Sequence, residues 1–159
     1  MMKPTQITDK LFYGADAVCT HDPASDVSVV HACKTCHSRR LGYSGSLAPT
    51  HPNYLAWSGQ HHLYLNLIDP PAPLFKLESF DHFFRFADVE IRDRPLLIHC
   101  NQGESRAPSL ALLYMAKRLN LLPDESYQAA KLEFEKQFVY RPGKGIQTFL
   151  GQNWASLGK

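Results

Sequence analysis

Three short apolar runs, each followed by a turn and then by residues of another texture, constrain this chain most. Residues 27–32 (Val-Ser-Val-Val-His-Ala), 62–68 (His-Leu-Tyr-Leu-Asn-Leu-Ile) and 95–100 (Pro-Leu-Leu-Ile-His-Cys) have the near-continuous apolar character of strands buried on both faces. Behind the second run, Leu77, Phe80, Phe84 and Ala87 fall on one face at helical spacing; behind the third, Leu110, Leu113, Tyr114 and Leu119 do the same. Strands alternating with amphipathic helices predict an α/β fold, with a central, mostly parallel sheet of four to five strands flanked by helices. In such sheets chemistry gathers at the carboxyl ends of the strands. The places to search are therefore the chain segments after Ala32, Ile68 and Ile98.

The rest of the chain fits this frame. Leu11-Phe12-Tyr13-Gly14 predicts another short strand, whereas residues 33–60, rich in Gly, Ser, Pro, His and basic residues, predict a long connection with room for a short helix. Three prolines in Asp69-Pro70-Pro71-Ala72-Pro73 end the strand before them. A helix is expected from Pro123 to about Phe138, and a last amphipathic one carries Ile146, Phe149, Leu150 and Trp154. At 159 residues the expectation is one domain, residues 1–159.

Seventeen Lys and Arg against fifteen Asp and Glu leave a charge of +2, too balanced for a polyanion-binding protein, so neither nucleic acid nor membrane is expected as a partner. The N-terminal residues carry no apolar signal core, no run is long enough to span a bilayer, and four cysteines are too few for a stapled framework. These features point to a cytoplasmic protein with reduced thiols; they leave the oligomeric state open, with a monomer as the default.

Chemistry concentrates in His99-Cys100-Asn101-Gln102-Gly103-Glu104-Ser105-Arg106. A cysteine six residues before an arginine is a weak signal alone. Here, however, the cysteine ends a strand and the arginine opens a helix, a crossing that aims backbone N–H groups and a positive helix end at one point. Such a nest suits a phosphate-sized dianion and favours a thiolate at Cys100. Arg106 adds a planar charged fork for two phosphoryl oxygens, and Gly103 lets the backbone approach a ligand closely.

This segment resembles the signature of the cysteine-dependent tyrosine and dual-specificity phosphatases, H-C-x-x-G-x-x-R followed by Ser or Thr, and Gly103-Glu104-Ser105-Arg106 is most similar to the dual-specificity branch. The resemblance extends to an opening strand like residues 7–14, to the closing helices, and to an aspartate about thirty residues before the cysteine. It is poorest over residues 33–60. It implies that Cys100 attacks phosphorus, that Asn101, Gln102, Gly103, Glu104, Ser105 and Arg106 bind the phosphate, and that His99 supports the loop. Asp69, 31 positions before Cys100, would be the proton donor. The implied substrates are phosphotyrosine, and also phosphoserine and phosphothreonine, in a protein or peptide. Glu104 would disfavour polyphosphorylated head groups by repulsion. No cofactor or metal is expected.

One departure stands out. Ala107 occupies the place of the usual hydroxyl residue, so release of the thiolate in the second step is expected to be slow unless Ser105 or Ser109 substitutes. This leaves open a phosphate-binding module without turnover, or action on a non-protein ester. Cys33-Lys34-Thr35-Cys36-His37 matches the C-x-x-C-H of haem attachment and a redox or zinc spacing, but no export signal and no second ligand pair accompany it. Cys33, ending a strand, is also a candidate for a protective disulfide with Cys100. Lys34, Arg39 and Arg40 read as a solvated loop face.

Overall fold

The structure, a computed structural model, describes residues 3–159. Four parallel strands form its centre: β2 (Leu11–Gly14), β6 (Leu96–His99), β3 (Ser28–His31) and β5 (His62–Leu65) lie side by side in that order. Strands β3, β5 and β6 are buried at every position, which is why their sequences show no polar alternation. The α/β class and the mostly parallel core are as expected.

Among the described residues the sheet has six strands rather than four to five, because two short edge strands carry little sequence signal. β1 (Thr5–Gln6) is exposed and pairs antiparallel with β2, so the opening segment is a hairpin rather than one strand. β4 (Ala56–Gly59) pairs antiparallel with β5 inside the supposed connection. The turn between them places Gln60 and His61 at φ of 54° and 68°. Such hairpin turns usually announce themselves with Asn or Gly, and neither is present.

The same connection holds α1 (Lys34–Leu41), closed by Gly42 in the left-handed region. Only its Cys36 and His37 are buried, so it has no apolar stripe. The remaining helices are α2 (Leu77–Glu90), α3 (Arg106–Lys117), α4 (Tyr127–Glu135) and α5 (Lys144–Asn153). Helix α4 begins later than residue 123 because Ser126 caps it, accepting a hydrogen bond from the Ala129 N–H at 3.0 Å. No helix of the described residues is long and apolar enough to cross a membrane.

Helix α3 fixes the site from behind. Its residues 107–116 are all buried, and Leu110, Leu112 and Leu113 are wholly enclosed, each worth roughly 1.5–3 kcal/mol of burial. With α3 anchored in the core, its first turn cannot drift from the end of β6. Across the sheet edge, the Ala32 N–H donates to the His99 carbonyl at 2.8 Å and the Lys34 N–H to the Leu67 carbonyl at 2.8 Å. The ends of β3, β5 and β6 thus meet in one place.

Candidate active site

Between β6 and α3, residues 100–105 turn sharply around Gly103, whose φ is +73°. A Cβ there would lie 2.8 Å from both the Ala15 nitrogen and the Gly14 carbonyl carbon, so the position demands glycine on two counts. Cys100 is buried at the base of the turn, and the Ala107 N–H in the first turn of α3 points at its sulfur, with N to Sγ 3.3 Å. The helix start expected to face the thiol does face it.

Arg106 folds back over the same turn. Its Nη1 donates to the Leu67 carbonyl at 2.9 Å and its Nη2 to Asn101 Oδ1 at 2.8 Å. These two bonds hold the guanidinium plane, while Nε is buried without an acceptor. Asn101 is itself held by donating to Asp16 Oδ2 at 3.0 Å and Thr35 Oγ1 at 3.1 Å. The fork is oriented by neighbours at both ends, and its Nε–H stays a buried donor without a partner.

Asp69, Cys100, Asn101, Gln102, Glu104, Ser105 and Arg106 line one cavity of about 330 Å³, together with Arg141 and Gly143. All the sequence-predicted catalytic residues converge there, and Gly103 supports the loop from behind. His99 does not line it. It is fully buried one residue back, with Nε2 2.7 Å from His31 Nδ1. Burial holds the His99 pKa below the ordinary imidazole range against the smaller opposing pull of Cys33 and Asp16. His31, buried among other imidazoles, is pushed down to about 2. Both rings are therefore neutral at physiological pH, and His99 lies beneath the turn rather than in the cavity.

Arg141 and Gly143, from the segment between α4 and α5, also reach the cavity. The Arg141 N–H donates to the Glu104 carbonyl at 2.9 Å, its side chain pairs with the Glu104 carboxylate, and the Gly143 N–H donates to Ser105 Oγ at 2.9 Å. Glu104 is therefore half of an ion pair, which weakens the repulsion expected of it towards polyphosphorylated groups. Gly143 and Gly145 also admit the Asp69 loop. A Cβ on Gly143 would fall 2.5 Å from Asp69 Oδ1, and one on Gly145 would overlap the carbonyl oxygens of Pro70 and Ala72. The Gly-Lys-Gly run was the available signal. Gly145→Ala is expected to push the Asp69 loop outward, because the added methyl would occupy the space of the Pro70 and Ala72 carbonyl oxygens.

Ser109 does not stand in for the hydroxyl missing at position 107. Its Oγ is 2.6 Å from the Tyr140 hydroxyl, which in turn contacts that of Tyr127 at 2.9 Å, in a buried network. Ser105 faces the cavity but already accepts from Gly143. Among the basic residues of α1, Lys34 lines a second cavity of about 400 Å³ that shares Asp69, Asn101 and Arg106 with the first. Arg39 and Arg40 lie on another face, Arg40 stacking over Trp57 at 3.9 Å. All four cysteines are free thiols; Cys33 packs with Cys36 and Tyr64, and Cys100 belongs to the main core.

No family model and no curated protein matches the chain. Solved structures do match it over nearly its whole length. A human tyrosine phosphatase-like serine/threonine/tyrosine-interacting protein superposes with a TM-score of 0.66 at 16% identity, covering 96% of each chain. Human DUSP28 gives 0.62 at 15% identity, over 96% of this chain and 93% of its own. The PTP-2 phosphatase of Cydia pomonella gives 0.61 at 18%, over 96% and 91%. The fold is thus that of the tyrosine and dual-specificity phosphatases.

Proposed function

We infer that residues 1–159 form one phosphatase domain that hydrolyses phosphate monoesters through a cysteinyl-phosphate intermediate. The observation that carries this reading is the buried, unpaired Arg106 Nε beside Cys100, in a cavity that also holds Asp69. A buried donor without a partner is costly, and a phosphoryl oxygen above Cys100 is the acceptor that would satisfy it. In the first step Cys100 Sγ bonds to phosphorus as the bond to the leaving oxygen breaks, and Asp69 protonates that oxygen. In the second, Asp69 takes a proton from water, the resulting hydroxide bonds to phosphorus, and the thiolate leaves. Charge developing on the phosphoryl oxygens is met by Arg106 and the turn amides.

The substrates we propose are phosphotyrosine and phosphoserine or phosphothreonine in proteins, in a cytoplasmic setting. Phosphotyrosyl and phosphothreonyl peptides should be hydrolysed faster than mono- or polyphosphorylated inositol lipids; the reverse order would move the assignment to a non-protein ester. Asp69→Asn should lower kcat by about 10²–10⁴-fold with phenyl phosphate and by less with p-nitrophenyl phosphate, whose leaving group needs the proton less. An equal loss with both would remove Asp69 from the acid role.

Ala107 favours one second reading, a module that captures phosphate and turns over slowly. Its amide contacts the thiol but it offers no hydroxyl to the departing sulfur. Ala107→Ser is expected to raise the steady-state rate severalfold while leaving the pre-steady-state burst unchanged, as followed by stopped flow. An unchanged steady-state rate would show that thiolate departure is not what Ala107 limits.

A further inference from the structure

Beneath the catalytic turn lies a cluster that the phosphatase chemistry does not use. We propose that Cys19, His31, Cys36 and His99 form a tetrahedral site for a zinc ion. One ligand atom from each lies within 4.8 Å of every other, although they come from the segment before β3, from β3, from α1 and from β6. Three of the four residues are buried. The sequence showed only the Cys33/Cys36 pair and no partner pair; the fold supplies the others from positions scattered over 80 residues, and uses Cys36 rather than Cys33.

The separations suit the ion. With Zn–S of about 2.3 Å and Zn–N of about 2.0–2.1 Å, a tetrahedron has S···N edges of about 3.6 Å and an N···N edge of about 3.4 Å. Cys19 Sγ is 3.5 Å from His31 Nδ1, and Cys36 Sγ is 3.8 Å from His99 Nε2. The two imidazole nitrogens, 2.7 Å apart, would have to separate by about 0.6–0.7 Å on binding. Two thiolates cancel the charge of the cation, so the loaded site is neutral, as a buried site must be. A tetrahedral S₂N₂ set selects zinc among the common divalent ions.

Hydrogen bonding outside the cluster points the same way. His62 Nε2 must donate to the Asp22 carbonyl at 2.9 Å, which leaves His62 Nδ1 to accept from His31 Nε2, also at 2.9 Å. That chain strips the proton from His31 Nδ1 and leaves its lone pair facing the cluster. Two imidazoles then dispute one contact. If His99 Nε2 donates to that lone pair, neutral His99 has no proton on Nδ1, which sits buried without a hydrogen-bond partner, 3.4 Å from Asp16 Oδ1. If both nitrogens bind a cation instead, the His99 proton moves to Nδ1 and points at the Asp16 carboxylate. The orphaned atom is satisfied, and a carboxylate–histidine–metal relay is complete. On binding, both thiol protons go to solvent. The ion would tie α1 and the segment before β3 to the strand that presents Cys100. His21 closes the cluster from outside, its ring stacked on His31 at 4.7 Å.

The test is a metal titration of the full chain, stripped with a chelator under reductant and followed first with Co²⁺ and then with Zn²⁺. One Co²⁺ per chain should bind with the intense visible bands of tetrahedral thiolate coordination, and Zn²⁺ should displace it. Cys19→Ser and Cys36→Ser should lose the bands, and Cys33→Ser should keep them. Asp16→Ala, a change at an exposed side chain, should weaken affinity about 10–100-fold. No tetrahedral cobalt spectrum in the wild type, or one that survives both Cys19→Ser and Cys36→Ser, overturns the proposal. Because the readout is spectroscopic, it stands or falls independently of phosphatase activity.

Discussion

Cys100→Ser is expected to reduce hydrolysis of p-nitrophenyl phosphate by at least about 10⁴-fold, while leaving inorganic phosphate binding within a few-fold of wild type. The size follows from the role: removing a nucleophile removes the whole two-step route, not one contribution to it. The binding half follows from the architecture. On the proposed reading the phosphate would be held by turn amides and by Arg106, whose orientation depends on Leu67 and Asn101 and not on the thiol. Serine is close to isosteric with cysteine and can still accept from the Ala107 N–H, so the turn should retain its shape. Steady-state kinetics and isothermal titration with inorganic phosphate measure the two halves separately.

Arg106→Lys should cost about 10³-fold in kcat/KM with the charge conserved. Lysine has one nitrogen where arginine has three. It cannot donate to the Leu67 carbonyl and Asn101 Oδ1 while also presenting the donor that Nε now holds towards the cavity. Asn101 would lose a partner, and with it the link from the turn to Asp16 and Thr35 would loosen. The loss should therefore appear in kcat as well as in KM. A loss confined to KM would mean that Arg106 contributes only general electrostatic attraction.

The candidate site's cavity was largely legible because most of the residues that line it are close in sequence. Cys100, Gly103 and Arg106 fall within one strand–turn–helix crossing, and the apolar texture of residues 95–100 places that crossing at the end of a buried strand. The position of Asp69 at the cavity was legible for a related reason: the prolines after it bar strand and helix alike, although β5 ends at Leu65, four residues earlier than Asp69 and short of the expected Ile68, and runs parallel to β3 within the same sheet as β6. What escaped was held by long-range contacts. The Glu104–Arg141 pair and the seating of the Asp69 loop on Gly143 and Gly145 join segments some 37 to 75 residues apart, and no local pattern announces them. Strand β4 was hidden because it turns through Gln60 and His61 without glycine at either position, whereas the short helix for which the connection left room is α1, whose bounds had no signal because it buries only two residues. The histidine and cysteine cluster was invisible for the same reason. It becomes a group only when β3 and β6 pair, setting His31 directly beside His99.

The most direct test of the central claim is the covalent intermediate itself. Wild-type protein mixed with p-nitrophenyl phosphate, quenched during the burst and mapped by peptide mass spectrometry, should carry one phosphoryl group on Cys100. Ala107→Ser should accumulate less of it and Cys100→Ser none. Hydrolysis that proceeds without any phosphoryl adduct on Cys100, and that persists in Cys100→Ser, would contradict the account.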